Sequence, residues 1–214
     1  MELRDSRRLP GPNIFWDLPG AVIDADCNEE SKARLITAWR AQALHILRAV
    51  GWGDEKLKER VYPGGASLCM SAPIDALYAA TEVNEWAFGA AVAELSGETT
   101  PDLDGAAKRL KAEIAEEVNP PLLLLRDAAA ERGVQFISDD ELVSVGLGRG
   151  ARTFPVHDLP SEDELDWSAI HDIPVALVTG TNGKSTTVRL VDGWCLCEWR
   201  DGGGRGLFRA RGCT

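Results

Sequence analysis

The chain has 214 residues, 44% of them hydrophobic and 27% charged, a balance that supports a packed core and excludes wholesale disorder. Its 34 acidic side chains outnumber 23 Lys and Arg, and a formal net charge of −11 sets the surface against phosphate backbones and anionic lipid, so no nucleic-acid or membrane partner is expected. No apolar run is long enough to span a bilayer, and no apolar stretch follows Arg4, Arg7 and Arg8, so no signal peptide is read and a cytoplasmic location is expected.

In chain order, Gly11 to Trp16 is a turn running into an apolar stretch, and Ala21 to Ile23 reads as a short strand. From Glu30 to Val50, Ala33, Ile36, Trp39, Ala43, Leu47 and Val50 recur at helical spacing, and Gly51 closes the helix. Leu68 to Ser71 reads as a strand. Pro73 is suited to the first turn of a helix that carries Leu77, Val83, Trp86, Phe88, Val92 and Leu95 and stops at Gly97. Two more helices follow, over 104–118 and 121–132, the second ended by Gly133. Val134 to Ile137 and Glu141 to Val145 read as paired strands around Ser138-Asp139-Asp140.

Within these elements Trp39, Trp86 and Phe88 are read as core anchors and His45 as a packed or boundary residue. Gly146, Gly148 and Gly150 have no helical pattern after them and read as a hairpin or exposed turn. Cys27 and Cys69 are isolated and expected to be buried and reduced. Cys195 and Cys197 lack a second pair at zinc-site spacing, so no metal site is expected from them. The acidic, proline-punctuated stretch over 155–172 reads as a linker. The expected organisation is a mixed α+β domain over 1–154, that linker, the start of a second domain over 173–191, and an aberrant tail over 192–214.

The chemistry-bearing motif follows the linker. Ile173-Pro174-Val175-Ala176-Leu177-Val178 is a β-branched apolar run. It leads into Thr179-Gly180-Thr181-Asn182-Gly183-Lys184-Ser185-Thr186-Thr187, and Val188 to Val191 can continue as a helix. Strand, glycine loop and helix in this order are the context of a phosphate-binding loop. Gly180 and Gly183 let backbone N–H groups face a polyphosphate, and the helix directs its positive end at the same anion. Lys184 would reach the β- and γ-phosphates, Ser185 would ligate Mg²⁺, and Thr181, Asn182 and Thr186 supply further donors. Val178 stands where the general phosphate-loop pattern has its first glycine.

The nine-residue string from Thr179 to Thr187 resembles the ATP-binding loop of the Mur ligase superfamily. That superfamily includes the peptidoglycan-precursor ligases, cyanophycin synthetase and folylpolyglutamate synthetase. Ser185, where folylpolyglutamate synthetases usually carry glycine, tips the resemblance toward the Mur and cyanophycin branch. Leu9-Pro10-Gly11-Pro12-Asn13-Ile14 is similar to the opening of cyanophycin synthetase. Leu142 to Gly150 is similar to a strand and glycine turn preceding that enzyme's ATP-grasp domain, which has no counterpart here. The resemblance implies an α/β organisation: a cyanophycin-synthetase-like N-terminal domain, then the first strand, phosphate loop and helix of a Mur-type parallel sheet. It implies an ATP- and Mg²⁺-dependent ligase joining a small or peptide-like carboxylate to an amine through an acyl phosphate, with Lys184 as the catalytic residue.

The tail does not fit that family. Residues 192–214 hold six of the 21 glycines, three of the five cysteines and two of the seven tryptophans, the composition expected of a shifted reading frame. The chain alone is therefore expected to be an incomplete, inactive ligase. The alternative is a non-catalytic fragment or binding module that retains only the loop.

Overall fold

A computed structural model describes residues 1–175 and 178–191, and the backbone separates into one unit over 1–173 and a second from Pro174 onward. The first unit is built on an antiparallel sheet of β1 (Glu2–Leu9), β2 (Gly20–Asp26), β3 (Leu57–Tyr62) and β4 (Gly65–Ser71), in the order β1-β2-β4-β3. Alternation sorts the two central strands. Ala21, Ile23 and Ala25 of β2, with Ala66, Leu68 and Met70 of β4, form one face of the core. Val22 and Cys69 pair on the opposite face, under Phe15, Leu9 and Trp16. The thiol of Cys69 is pushed up to about 12 by burial, and both Cys27 and Cys69 are buried and free.

Two long helices cover the sheet. In α1 (Glu29–Val50), Asn28 caps the start by accepting the Ser31 N–H at 2.8 Å, and Gly51 ends it with φ 96°. Its buried stripe includes Leu35, Ala38, Trp39, Ala43, Ile46, Leu47 and Val50. Ala33 and His45, expected on or near that stripe, face solvent instead. The stripe is centred on Leu35 and Ala38, and the true period leaves both residues on the outer side. The second helix, α2 (Leu77–Ser96), starts after Pro73 rather than at it. Pro73 opens a turn that its carbonyl closes by accepting the Ala76 N–H at 3.1 Å. Phe88 is buried and Trp86 half-buried, both against this core. Two further helices are α3 (Leu103–Glu117), capped by Asp102, and α4 (Pro120–Glu131), capped by Asn119.

A second antiparallel sheet, β5 (Phe136–Ser138), β6 (Leu142–Val145) and β7 (Arg152–Pro155), follows in sequential order. Phe136 opposes Val145, as the expected hairpin requires, and Asp139 in its turn accepts the N–H groups of Glu141 and Leu142. Leu122, Leu125 and Ala129 of α4 pack with Val143, Val145 and Ile170 into a small second core. The stretch read as a linker over 155–172 supplies Ile170 and also Val156, Leu159, Leu165 and Trp167 to that core. Its apolar residues are spaced between acidic ones, so composition alone hides them. The Gly146–Gly150 turn is where this stretch docks. Leu147 donates to the His171 carbonyl at 3.3 Å, and His171 donates to the Gly150 carbonyl at 3.2 Å.

The fold is therefore mixed α+β with two antiparallel sheets, and a Mur-type parallel sheet does not occur among the described residues. The run expected as its first strand shows no strand at 173–175 or Val178, and Ala176 and Leu177 lie outside the described residues. No neighbouring strand stands among the described residues from 174 onward to take the ladder hydrogen bonds, and a lone strand leaves its backbone groups unpaired. The helix expected after the loop is present as α5 over 184–191. The tail over 192–214, with Cys195 and Cys197, lies outside the described residues. No helix among the described residues is long and apolar enough to cross a membrane.

Candidate functional site

The loop residues singled out from sequence form one turn at the start of α5. Gly180 has φ 145° and Gly183 φ 80°, both in the region that L side chains rarely adopt. A Cβ at Gly183 would meet nothing within 4 Å among the described residues, so none of them closes that side of the turn. The Gly183 carbonyl accepts the Thr187 N–H at 2.9 Å and the Thr187 hydroxyl at 3.0 Å, which fixes Gly183 as the residue flanking the helix. Helix geometry then leaves the N–H groups of Lys184, Ser185 and Thr186 without an intrahelical acceptor.

Lys184 folds back over the turn and donates its Nζ to the Gly180 carbonyl. Its ammonium is therefore held at the glycine turn, against the Gly180 carbonyl. Thr181, Asn182, Ser185 and Thr186 all lie exposed on the same turn and first helical residues. Every named loop residue thus falls in one local assembly, with an open backbone and a net positive end. Such an arrangement can hold a polyphosphate by backbone N–H groups and one ammonium. The Ser185 hydroxyl offers a single oxygen for a divalent cation. No cluster of three or more His, Cys, Asp or Glu suited to a metal occurs among the described residues.

The first unit contains a concave feature that the sequence patterns did not assemble. A cleft of about 600 Å³ lies between β1, the start of α2, the α3–α4 junction and the β5–β6 turn. At one side the Arg8 guanidinium stacks 3.7 Å above the centre of the Tyr78 ring and forks onto both Asp140 oxygens, Nη2 to Oδ2 at 2.9 Å. The Tyr78 hydroxyl also donates to Asp140 Oδ2 at 2.9 Å. The Arg8 and Tyr78 bonds together hold the Asp140 carboxyl below its usual range, and the Arg8 guanidinium is correspondingly raised, chiefly by its bond to Asp140. Glu117 closes the start of α2 by accepting the N–H groups of Tyr78 and Ala79, each at 2.8 Å. Ala76 gives that helix no side-chain cap of its own. Asp75 accepts the Asn119 N–H at 3.0 Å on Oδ2.

These residues come from four separate parts of the chain. The one sequence clue is the local Asp139-Asp140 turn, since Arg8, Asp75 and Tyr78 carry no spacing pattern that joins them. Comparison with protein-family models and with curated proteins finds no match to this chain.

Proposed function

We propose that the chain carries the nucleotide-binding loop of a Mur-type ligase, an enzyme that uses ATP to join a carboxylate to an amine. The supporting observation is the string from Thr179 to Thr187 in its local geometry: two glycines at positive φ, a helix start, and Lys184 laid over the turn. The fit to a polyphosphate is chemical as well as steric. The open side of Gly183 admits an anion without a Cβ in the way, and the N–H groups of Lys184, Ser185 and Thr186 face outward from the helix start.

In this reading ATP gives its γ-phosphoryl group to a carboxylate oxygen of the acid substrate, and ADP leaves. The amine nitrogen then bonds to the acyl carbon, inorganic phosphate leaves, and the nitrogen releases a proton. Lys184 exchanges its bond to the Gly180 carbonyl for the β- and γ-phosphate oxygens and stabilises the charge that develops during transfer. Ser185 would hold Mg²⁺ through its hydroxyl. The substrates are a small or peptide-like carboxylate and an amine.

A second reading, a non-catalytic fragment or binding module that retains the loop, is favoured by one observation. No partner strand stands beside the loop among the described residues, and a phosphate loop is normally preorganised by the sheet it leaves. Calorimetry with Mg–ATP separates the two. Micromolar affinity that disappears in Lys184→Ala supports a working ligase site. Millimolar or undetectable binding by the full chain supports the fragment reading.

A further inference from the structure

The cleft in the first unit takes no part in the phosphate loop, and its volume of about 600 Å³ falls in the range of small-ligand sites. Two buried polar atoms of its lining residues have no hydrogen-bond partner among the described residues, Asp75 Oδ1 and Ser6 Oγ. Buried polar atoms are almost always paired, so two orphans among the residues of one cleft call for a ligand. Asp75 is only 6% exposed, and the Asn119 N–H on Oδ2 fixes the carboxylate in place.

The other charges of the lining are already spent. Arg7 is tied to Asp5 and Asp24, outside the cleft, and Arg8 to Asp140. Glu117 is occupied by two amides of α2, and Asp139 by two amides of its own turn. Both turn amides bind Asp139 Oδ1, and that side chain is exposed; Asp75 is the buried lining carboxylate with an unpaired oxygen among the described residues. Beside it, Ile74, Leu77, Leu122 and Val156 give the cleft an apolar wall.

We propose that this cleft binds a primary aliphatic amine as its ammonium ion, with the head group on Asp75 Oδ1 and the alkyl stem along the apolar wall. A planar guanidinium is the poorer occupant, because the planar-cation position over Tyr78 and on Asp140 is filled by the chain's own Arg8. A divalent metal ion is poorer still, since it takes about six oxygens and the buried lining offers Asp75 Oδ1 and Ser6 Oγ. A neutral alcohol would leave the Asp75 charge uncompensated.

The test is an amide-resolved NMR titration of the full chain with n-butylammonium chloride, with 1-butanol as the neutral isostere. Saturable shifts are expected at the Asn119 amide, which reports on Asp75 directly, and at Leu77 and Leu122. Asp75→Asn keeps the acceptor for Asn119 and removes the charge, so it should retain the native spectrum and weaken butylammonium binding by about tenfold or more. Asp140→Asn, which alters the exposed side of the cleft, should change affinity less. Butylammonium shifts that are absent up to roughly 50 mM, matched by 1-butanol, or unchanged in a folded Asp75→Asn variant would overturn the proposal. If Asp75→Asn loses its native spectrum, the wild-type contrast between butylammonium and 1-butanol decides the matter alone.

Discussion

The indole N–H of Trp39, on α1, donates to Asn84 Oδ1, on α2, at 2.9 Å, and both residues are fully buried. The same asparagine returns its Nδ2 to the carbonyls of Leu68 at 3.0 Å and Ala21 at 3.4 Å. One amide therefore ties both helices to the two central strands. It also answers the polar atom that a buried tryptophan brings into the core.

Removing that amide orphans the Trp39 N–H and opens a cavity. Asn84→Ala should destabilise the first unit by about 2–3 kcal/mol, a fall in melting temperature on the order of 5–10 °C. Urea denaturation of the two proteins checks it. A loss under about 0.5 kcal/mol would mean that the network adds little beyond packing.

The docking of the acidic stretch rests on glycine. A Cβ at Gly150 would overlap the His171 carbonyl, and one at Gly148, with φ 61°, would overlap the Ile173 side chain. Gly150→Ala should release 170–173 and make 155–172 the first site of limited proteolysis, at a cost of about 2 kcal/mol or more. Gly89 is the contrast. It lies inside α2 with nothing within 4 Å of a new Cβ, so Gly89→Ala should stabilise by about 0.5–1 kcal/mol.

Acid should loosen the link between β1 and the β5–β6 turn. The Arg8 bond, and then that of Tyr78, lower the Asp140 carboxyl from its ordinary value in the folded chain. The contribution is therefore fully present above the unfolded pKa and is lost as pH falls through the folded one. Because the pair is largely exposed, solvent screening keeps it below about 1 kcal/mol. A carboxyl-carbon NMR titration should place Asp140 below the usual carboxylate range, and Arg8→Gln should move it back up. An unchanged midpoint in Arg8→Gln would remove Arg8 as the cause.

Elements with strong local signals were legible in the sequence. The apolar recurrences and the terminal glycines Gly51, Gly97 and Gly133 mark α1, α2 and α4, and Ser138-Asp139-Asp140 marks the β5–β6 turn. The strand β1 was not legible. Glu2–Leu9 is an edge strand whose side chains are mostly charged, and it is recruited by pairing with β2 rather than by its own pattern. The half-exposed β3 and the short β7 failed for the same reason. The acidic stretch misled because Val156, Leu159, Leu165, Trp167 and Ile170 follow no helix or strand period. The Thr179–Thr187 segment was legible as a turn because its requirement is local: two glycines, a lysine and a helix start. The strand expected before it depends on neighbours, and sequence periodicity does not supply them. The Asp75 cleft, assembled from distant segments, had no local signal at all.

In the proposed function the Gly180–Thr186 turn grips a polyphosphate through its backbone N–H groups and Lys184. Titrating the full chain with Mg–ATP while following backbone amides reads those contacts whether binding is tight or weak. The amides of Gly183, Lys184, Ser185 and Thr186 should shift in a saturable way, and the shifts should collapse in Lys184→Ala while the rest of the spectrum stays native. Silence at these four amides up to about 10 mM Mg–ATP, or the same shifts in Lys184→Ala, would contradict it.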